Sequence, residues 1–185
     1  MKIGYMGLPG SYTEAAARQL IKSQGLSDAE LVPLISAAAV RRSLDTSAVS
    51  KGVIAVADQA GRPVSETAQV FPKDSYTPEA ELTLPVHYCL FRRSTVADFD
   101  IREVASHLFA LKQTEEFIAL HYPYWADVDT PDTAQAAQML SDGELSITTA
   151  VICSKAAGEA NGLVCIASDI EDQPNHAVTF CLIKG

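Results

Sequence analysis

Gly52-Val53-Ile54-Ala55-Val56-Ala57 runs without a charged or hydrogen-bonding side chain. Such a run cannot alternate a wet face with a dry one, so as a strand it needs cover on both faces. The segments before it can supply that cover. Lys2 to Gly7 reads as a short strand closed by glycine, and Thr13 to Ile21 carries Ala15, Ala16, Leu20 and Ile21 in a helical pattern. Leu31 to Ile35 reads as a strand and Ser36 to Ser47 as a helix. The rhythm is βαβαβ, which predicts an α/β sheet flanked by helices.

A second set follows with the same rhythm. Leu82 to Arg92 is a longer run of β character, Val104-Ala105 ends a short strand, and His107 to Tyr122 patterns as one helix. Ala126-Asp127-Val128 reads as a strand, Thr133 to Leu140 as a helix and Thr149 to Cys153 as a third strand. Two lobes are the consequence. Leu163 to Ala167 and Ala177 to Ile183 remain as strands, and the polar stretch Asp169 to His176, with Pro174, reads as a loop crossing back to the first lobe. The expected division is residues 1–78 plus 168–185 for the first lobe and 79–167 for the second, with a ligand cleft between them.

Composition narrows the function classes. With 48% hydrophobic and 20% charged residues in 185, the chain can bury a core, which argues against disorder. No stretch approaches the roughly 20 apolar residues of a membrane span, and the N-terminus enters a strand directly, so a soluble, cytoplasmic protein without an export signal is expected. Cys89, Cys153, Cys165 and Cys181 each sit in apolar, strand-like runs with no C-x-x-C pair and read as core thiols of a reducing compartment. His87, His107, His121 and His176 are scattered, so a metal site is not expected. The net charge of −9 argues against nucleic acid or an anionic membrane as partner. An anionic ligand would need a site made positive locally.

Two turns could provide it. Gly7-Leu8-Pro9-Gly10-Ser11-Tyr12-Thr13-Glu14 opens the first helix, with Ser11 or Thr13 as its cap. Ala105-Ser106-His107 ends a strand at the start of a helix in the equivalent position of the second lobe. Facing each other, the two helix starts would suit a molecule with two carboxylates. Ordinary capped turns account for the same residues.

These residues also resemble a known family, prephenate dehydratase, over Lys2 to Ile183. The opening Gly7-Leu8-Pro9-Gly10-Ser11-Tyr12-Thr13 is similar to that family's Gly-Pro-x-Gly-(Thr/Ser)-(Phe/Tyr)-(Ser/Thr), and Val64-Ser65-Glu66-Thr67 to its Val-Asn-Glu-Thr. Leu84-Pro85-Val86-His87-Tyr88-Cys89-Leu90 resembles Leu-Pro-Ile-x-His-Cys-Leu, and Ser106-His107-Leu108-Phe109-Ala110-Leu111-Lys112-Gln113 resembles Ser-His-Pro-Gln-Ala-Leu-x-Gln. Asp169-Ile170-Glu171-Asp172-Gln173-Pro174-Asn175 resembles x-Ile-x-Asp-Asn-x-x-Asn. The resemblance implies two lobes of the type II periplasmic-binding-protein kind. It also implies conversion of prephenate to phenylpyruvate by dehydration and decarboxylation without a cofactor, in a dimer or tetramer. A regulatory ACT domain, usual in the family, is not part of the resemblance.

The chain departs from the family where the ligand would lie. The family's catalytic Thr-Arg-Phe on the last strand aligns without a gap with Val178-Thr179-Phe180, which removes the hydroxyl acid and the carboxylate-binding arginine. A one-residue deletion would instead put Thr179 in the Thr position. His176, two residues before Val178, is the preferred replacement acid, a solvent-exposed loop histidine being the other reading. Where the family has Pro-Ile-Glu-Asn-Ser the chain has Ala55-Val56-Ala57-Asp58-Gln59, and Tyr88 and Leu108-Phe109 replace the family's His and Pro-Gln. The resemblance, with His176 added from its place on the strand, thus assigns catalysis to His176, Val178 and Thr179. It assigns substrate contacts to Ser11, Tyr12, Thr13, Asp58, Gln59, Ser106, His107, Leu108, Phe109, Ala110, Asn175 and Phe180. The expected function is action on prephenate or a related aromatic-pathway carboxylate, weak or altered. The alternative is a non-catalytic binding protein for an aromatic acid such as phenylpyruvate or phenylacetate.

Overall fold

The computed structural model describes residues 1–72 and 75–184; Lys73, Asp74 and Gly185, which the sequence reading places in the first lobe, lie outside the described residues. In chain order the elements are β1 (Lys2–Tyr5), α1 (Tyr12–Ser23), β2 (Glu30–Pro33), α2 (Ala37–Asp45), β3 (Lys51–Asp58), α3 (Ser65–Val70), β4 (Thr77–Pro85) and β5 (Cys89–Arg92). There follow β6 (Glu103–Ser106), α4 (Leu108–Gln113), α5 (Glu115–His121), β7 (Ala126–Asp129), α6 (Thr133–Asp142), β8 (Thr149–Cys153), α7 (Lys155–Ala160), β9 (Val164–Ser168) and β10 (Ala177–Lys184).

The chain divides into two compact units, one of Met1–Val86 with the stretch from His176 onward, the other His87–Asn175. The first holds a sheet of order β2-β1-β3-β10-β4 and the second a sheet of order β7-β6-β8-β5-β9. Each sheet pairs its first three strands in parallel and then inserts an antiparallel strand, β10 in one and β5 in the other. The shared rhythm of the sequence is a shared topology.

The boundaries differ from those expected at residues 78 and 168. The run from Leu82 to Arg92 is not one strand: Pro85 ends β4, which pairs with β10 from Thr77↔Lys184 to Pro85↔Ala177, and β5 begins at Cys89 in the other sheet. Proline lacks the N–H that a continuing ladder needs. Residues 79–86 therefore belong to the first unit and residues 168–175 to the second. The expected helix from His107 to Tyr122 is likewise two, α4 and α5. The hydroxyl of buried Thr114 donates to the carbonyls of Ala110 at 3.0 Å and Leu111 at 3.3 Å, and its own φ of −127° leaves the helical region. Such back-bonding competes with the helix. α3 and α7, six residues each, are too short to show a period in the sequence.

β3 explains the opening run. Val53 and Ile54 are fully buried on opposite faces, and Ile54 joins Val40 of α2, Phe71, Cys181 and Ile183 in one cluster. Cys89, Cys153 and Cys181 are buried thiols, but Cys165 is exposed on the edge strand β9, against the expectation of a core residue. Burial pushes the Cys181 thiol up to about 11 and raises Cys89 and Cys153 as well, which leaves little thiolate to react. Among the described residues no helix is long and apolar enough to cross a membrane.

Candidate functional site

In the first unit β1 and β3 run parallel, so their C-terminal ends share one edge of the sheet. Antiparallel β10 begins there, with Val178 opposite Asp58. The turn from Gly7 to Thr13, the loop after β3 and the residues His176 to Val178 are thereby gathered at the strand ends, the usual place for a ligand in an α/β sheet.

Of the two candidate caps, Ser11 is the one used, its hydroxyl accepting the Glu14 N–H at 3.2 Å; Thr13 lies buried inside α1, and half-buried Tyr12 is the first helical residue. The Glu14 carboxylate folds back to accept the Gly10 N–H at 2.7 Å and takes Arg18 Nε at 3.1 Å. The backbone amide expected to meet a ligand's carboxylate already meets one of the chain's own. The spacing Ser11 to Glu14, that of a capping box, carries the signal in the sequence.

His176 is fully buried, so the reading of an exposed loop histidine is wrong. Its Nδ1 lies 2.9 Å from Gln59 Oε1, and the same oxygen accepts the Ala177 N–H at 3.2 Å. Two donors converging on one amide atom require that atom to be the oxygen, so Nδ1 carries a hydrogen and Nε2 is the nitrogen whose protonation can change. Val178 is buried between Asp58 and Leu84, whereas the Thr179 hydroxyl sits 2.9 Å from that of Thr83 on the opposite face. Phe180 is buried, and the ladder with β3 is irregular between it and Thr179: Thr179 faces Ala57 and Phe180 faces Ala55, so β3 carries one residue more, Val56. Asn175, exposed, holds a left-handed φ of 64°, which asparagine tolerates well.

Asp58 accepts the N–H groups of Ala60 and Arg62, both at 2.9 Å, and Arg62 Nε at 2.6 Å. Burial by itself would raise its carboxyl, but the Arg62 amide and guanidinium, the Ala60 amide and the Arg62 charge outweigh it and hold Asp58 below the ordinary carboxylate range. Asp58 is therefore a fixed anion and no proton donor at neutral pH. Arg62 brings a cation, two-thirds exposed, to the same strand end.

In the second unit Ser106 does not cap a helix. It ends β6 fully buried, and its hydroxyl donates to the Ile152 carbonyl at 2.6 Å. The cap of α4 is His107, whose Nδ1 accepts the Phe109 N–H at 3.2 Å, while the Leu108 N–H goes to Asp129 Oδ1 at 3.0 Å. Leu108 is exposed, Phe109 half-buried and Ala110 buried. The amides that begin this helix, too, have acceptors within the chain.

Two carboxylates of the resemblance motifs prove to be ties of the framework. Glu66 Oε1 accepts the Ala37 N–H at the start of α2 at 3.0 Å, and both oxygens of Asp172 accept the N–H groups of Glu116 and Phe117 at the start of α5, each at 2.9 Å. A carboxylate at a helix start satisfies orphan amides and meets the positive end of the helix dipole.

Comparison with known proteins agrees with this framework. The chain is 27% identical over 183 residues to arogenate dehydratase 5 of Arabidopsis thaliana, covering 99% of this chain and 42% of the relative. It is 26% identical to the bifunctional chorismate mutase/prephenate dehydratase of Pseudomonas aeruginosa, covering 99% and 48%. The chain thus spans less than half the length of these curated relatives. Among solved structures, prephenate dehydratase from Arthrobacter aurescens in complex with L-Phe superposes with a TM-score of 0.77 at 23% identity, covering all of this chain and 60% of that one. That likeness is one of fold, and the fold is the two-lobed α/β class of type II periplasmic binding proteins. A family model described as prephenate dehydratase matches residues 3–185, and the chain belongs to the prephenate dehydratase family.

Proposed function

We propose that the chain acts on prephenate, or on a close relative such as arogenate, as a dehydratase of weak or altered activity. In this reaction the ring C–O bond breaks toward oxygen, which takes a proton and leaves as water. The ring carboxylate leaves as carbon dioxide, and the electrons of its C–C bond complete the aromatic ring. Aromatisation supplies the driving force. What remains for the protein is to hold the carboxylates and to place one proton donor at the hydroxyl.

The observation that carries this reading is His176. Its ring is buried, its Nδ1 hydrogen is fixed by Gln59, and it stands two residues before Val178 at the start of β10. Once protonated at Nε2, an imidazole oriented in this way can deliver that proton and return to the neutral form with its hydrogen on Nδ1. Arg62, tied to the Asp58 that faces Val178, supports a replacement for the missing strand arginine. The expected substrate contacts of Ser106 and His107 in the other unit, a dimeric or tetrameric assembly and a cytoplasmic location belong to the same proposal.

The second reading, a binding protein for an aromatic acid without turnover, is favoured by one feature: the only hydroxyl of the Val178-Thr179-Phe180 segment is bonded to Thr83 on the face away from Val178. The test is to incubate the purified chain with prephenate and, separately, arogenate, follow aromatic product by ultraviolet absorbance, and titrate phenylpyruvate by calorimetry. Slow turnover above the uncatalysed rate, at neutral pH, is expected. Tight binding of phenylpyruvate with no turnover of either substrate would establish the second reading instead.

A further inference from the structure

His87, Asp169 and Glu171 converge in the second unit. His87 lies between β4 and β5, and the two carboxylates follow β9; the pairing of Cys89 with Ser168 brings these segments side by side. His87 Nδ1 lies 2.7 Å from Glu171 Oε1 and 3.3 Å from Asp169 Oδ1, and all three donor atoms fall within 4.8 Å of one another.

We propose that these three residues bind a first-row divalent transition-metal ion, zinc foremost. The first argument is geometric. Zinc bonds to imidazole and carboxylate run about 2.0–2.2 Å, which places neighbouring donors about 3.3–3.6 Å apart in a tetrahedral set and about 2.8–3.1 Å apart in an octahedral one. The 3.3 Å from His87 to Asp169 matches a tetrahedral edge, and the 2.7 Å from His87 to Glu171 lies just under an octahedral one and would open slightly around the ion. The second argument is one of valence. Nδ1 has a single in-plane direction in which to offer a hydrogen, yet two carboxylate oxygens approach it; a proton serves one of them well, whereas a divalent ion set among the three serves both and relieves their mutual repulsion.

The site is also held in place. Glu171 is nearly buried, with its second oxygen accepting the Tyr88 N–H at 3.0 Å, and the Ile170 N–H donates to the Tyr88 carbonyl at 3.1 Å. Such outer contacts orient a metal-bound carboxylate. Asp169 and His87 reach solvent, at 71% and 50% side-chain exposure, which leaves room for water to complete the coordination. The mixed donor set selects the metal class, since an imidazole favours zinc and its neighbours over magnesium or calcium, which take oxygen ligands. Sequence spacing gave no sign of it, because His87 and Glu171 stand 84 positions apart.

The test is calorimetric titration of zinc chloride into the untagged full chain stripped with a chelator, with magnesium chloride as a control, followed by cobalt(II) substitution and visible spectroscopy. One equivalent of zinc binding at micromolar concentration or tighter is expected, with no magnesium binding in that range and with a cobalt d–d band. His87→Gln and Glu171→Gln should each weaken zinc at least about tenfold, since even outer-shell changes cost 10–100-fold. His121→Gln should leave it unchanged. Circular dichroism checks each variant's fold, and exposed Asp169→Asn carries the same test should Glu171→Gln unfold. Failure of the parent chain to bind zinc, or an equivalent that persists in His87→Gln and Asp169→Asn, overturns the proposal.

Discussion

At the scale of single residues, two acidic side chains could be mistaken for chemistry and serve structure instead. Asp58 has its carboxyl held below the usual range by Arg62 and two backbone amides, so it gives stability wherever it is ionised. That contribution is complete above the unfolded carboxylate value of about 4 and is lost as pH falls through the lower folded value. Urea midpoints measured from pH 6 downward should therefore drop more steeply in the parent chain than in Asp58→Asn, which keeps the acceptor for both amides but not the charge. Equal slopes would mean that the Arg62 contact contributes nothing. Glu14 was legible in part, since its distance from Ser11 is that of a capping box. The tie between His176 and Gln59 was not, because 117 positions separate them and no local pattern encodes such a pair.

At the scale of elements, helix starts decide most of the differences between expectation and structure. The sequence placed Ser106 as a cap because serine at a strand-to-helix junction usually is one. One position of offset gives that task to His107 and turns the Ser106 hydroxyl into the sheet, where it meets the Ile152 carbonyl. Ser106→Ala should then cost about 1–3 kcal/mol by leaving a buried acceptor without its donor. A chemical-denaturation shift well under 0.5 kcal/mol, the effect ordinary for a surface site, would contradict that placement. Asp172→Ala removes the acceptor of two amides at the start of α5 and should lower stability by about 0.5–2 kcal/mol with the α-helical signal reduced. α7 rests on Phe91 through Gly158, where an added Cβ would come within 2.3 Å of the ring. Gly158→Ala should destabilise the fold by at least about 1–3 kcal/mol, measured by thermal melting, through overpacking.

At the scale of the whole molecule, the fold was legible because it rests on repeating local signals: apolar runs of strand length, helical periods between them and punctuation such as Pro85. The strand order required long-range steps, the insertion of β5 between β8 and β9 and the return of β10 to the first sheet, of which the polar crossing loop foreshadowed the second. The candidate site was legible as a set of positions but not as a charge distribution. A chain of net charge −9 places its own carboxylates on the two helix starts that were expected to attract a ligand's, Glu14 at α1 and Asp129 at α4. In the proposed function, recognition of an anion then falls to side-chain cations such as Arg62, and protonation to His176. The direct measurement is kcat/KM for prephenate in the parent chain, in His176→Asn and in Gln59→Ala, with folding verified for each. Loss of the positioned donor in His176→Asn should lower kcat/KM about 10²–10⁴-fold, and Gln59→Ala, which frees the ring's orientation, should give a smaller loss carried by kcat. Turnover in His176→Asn equal to that of the parent chain would contradict the assignment of the proton to this histidine.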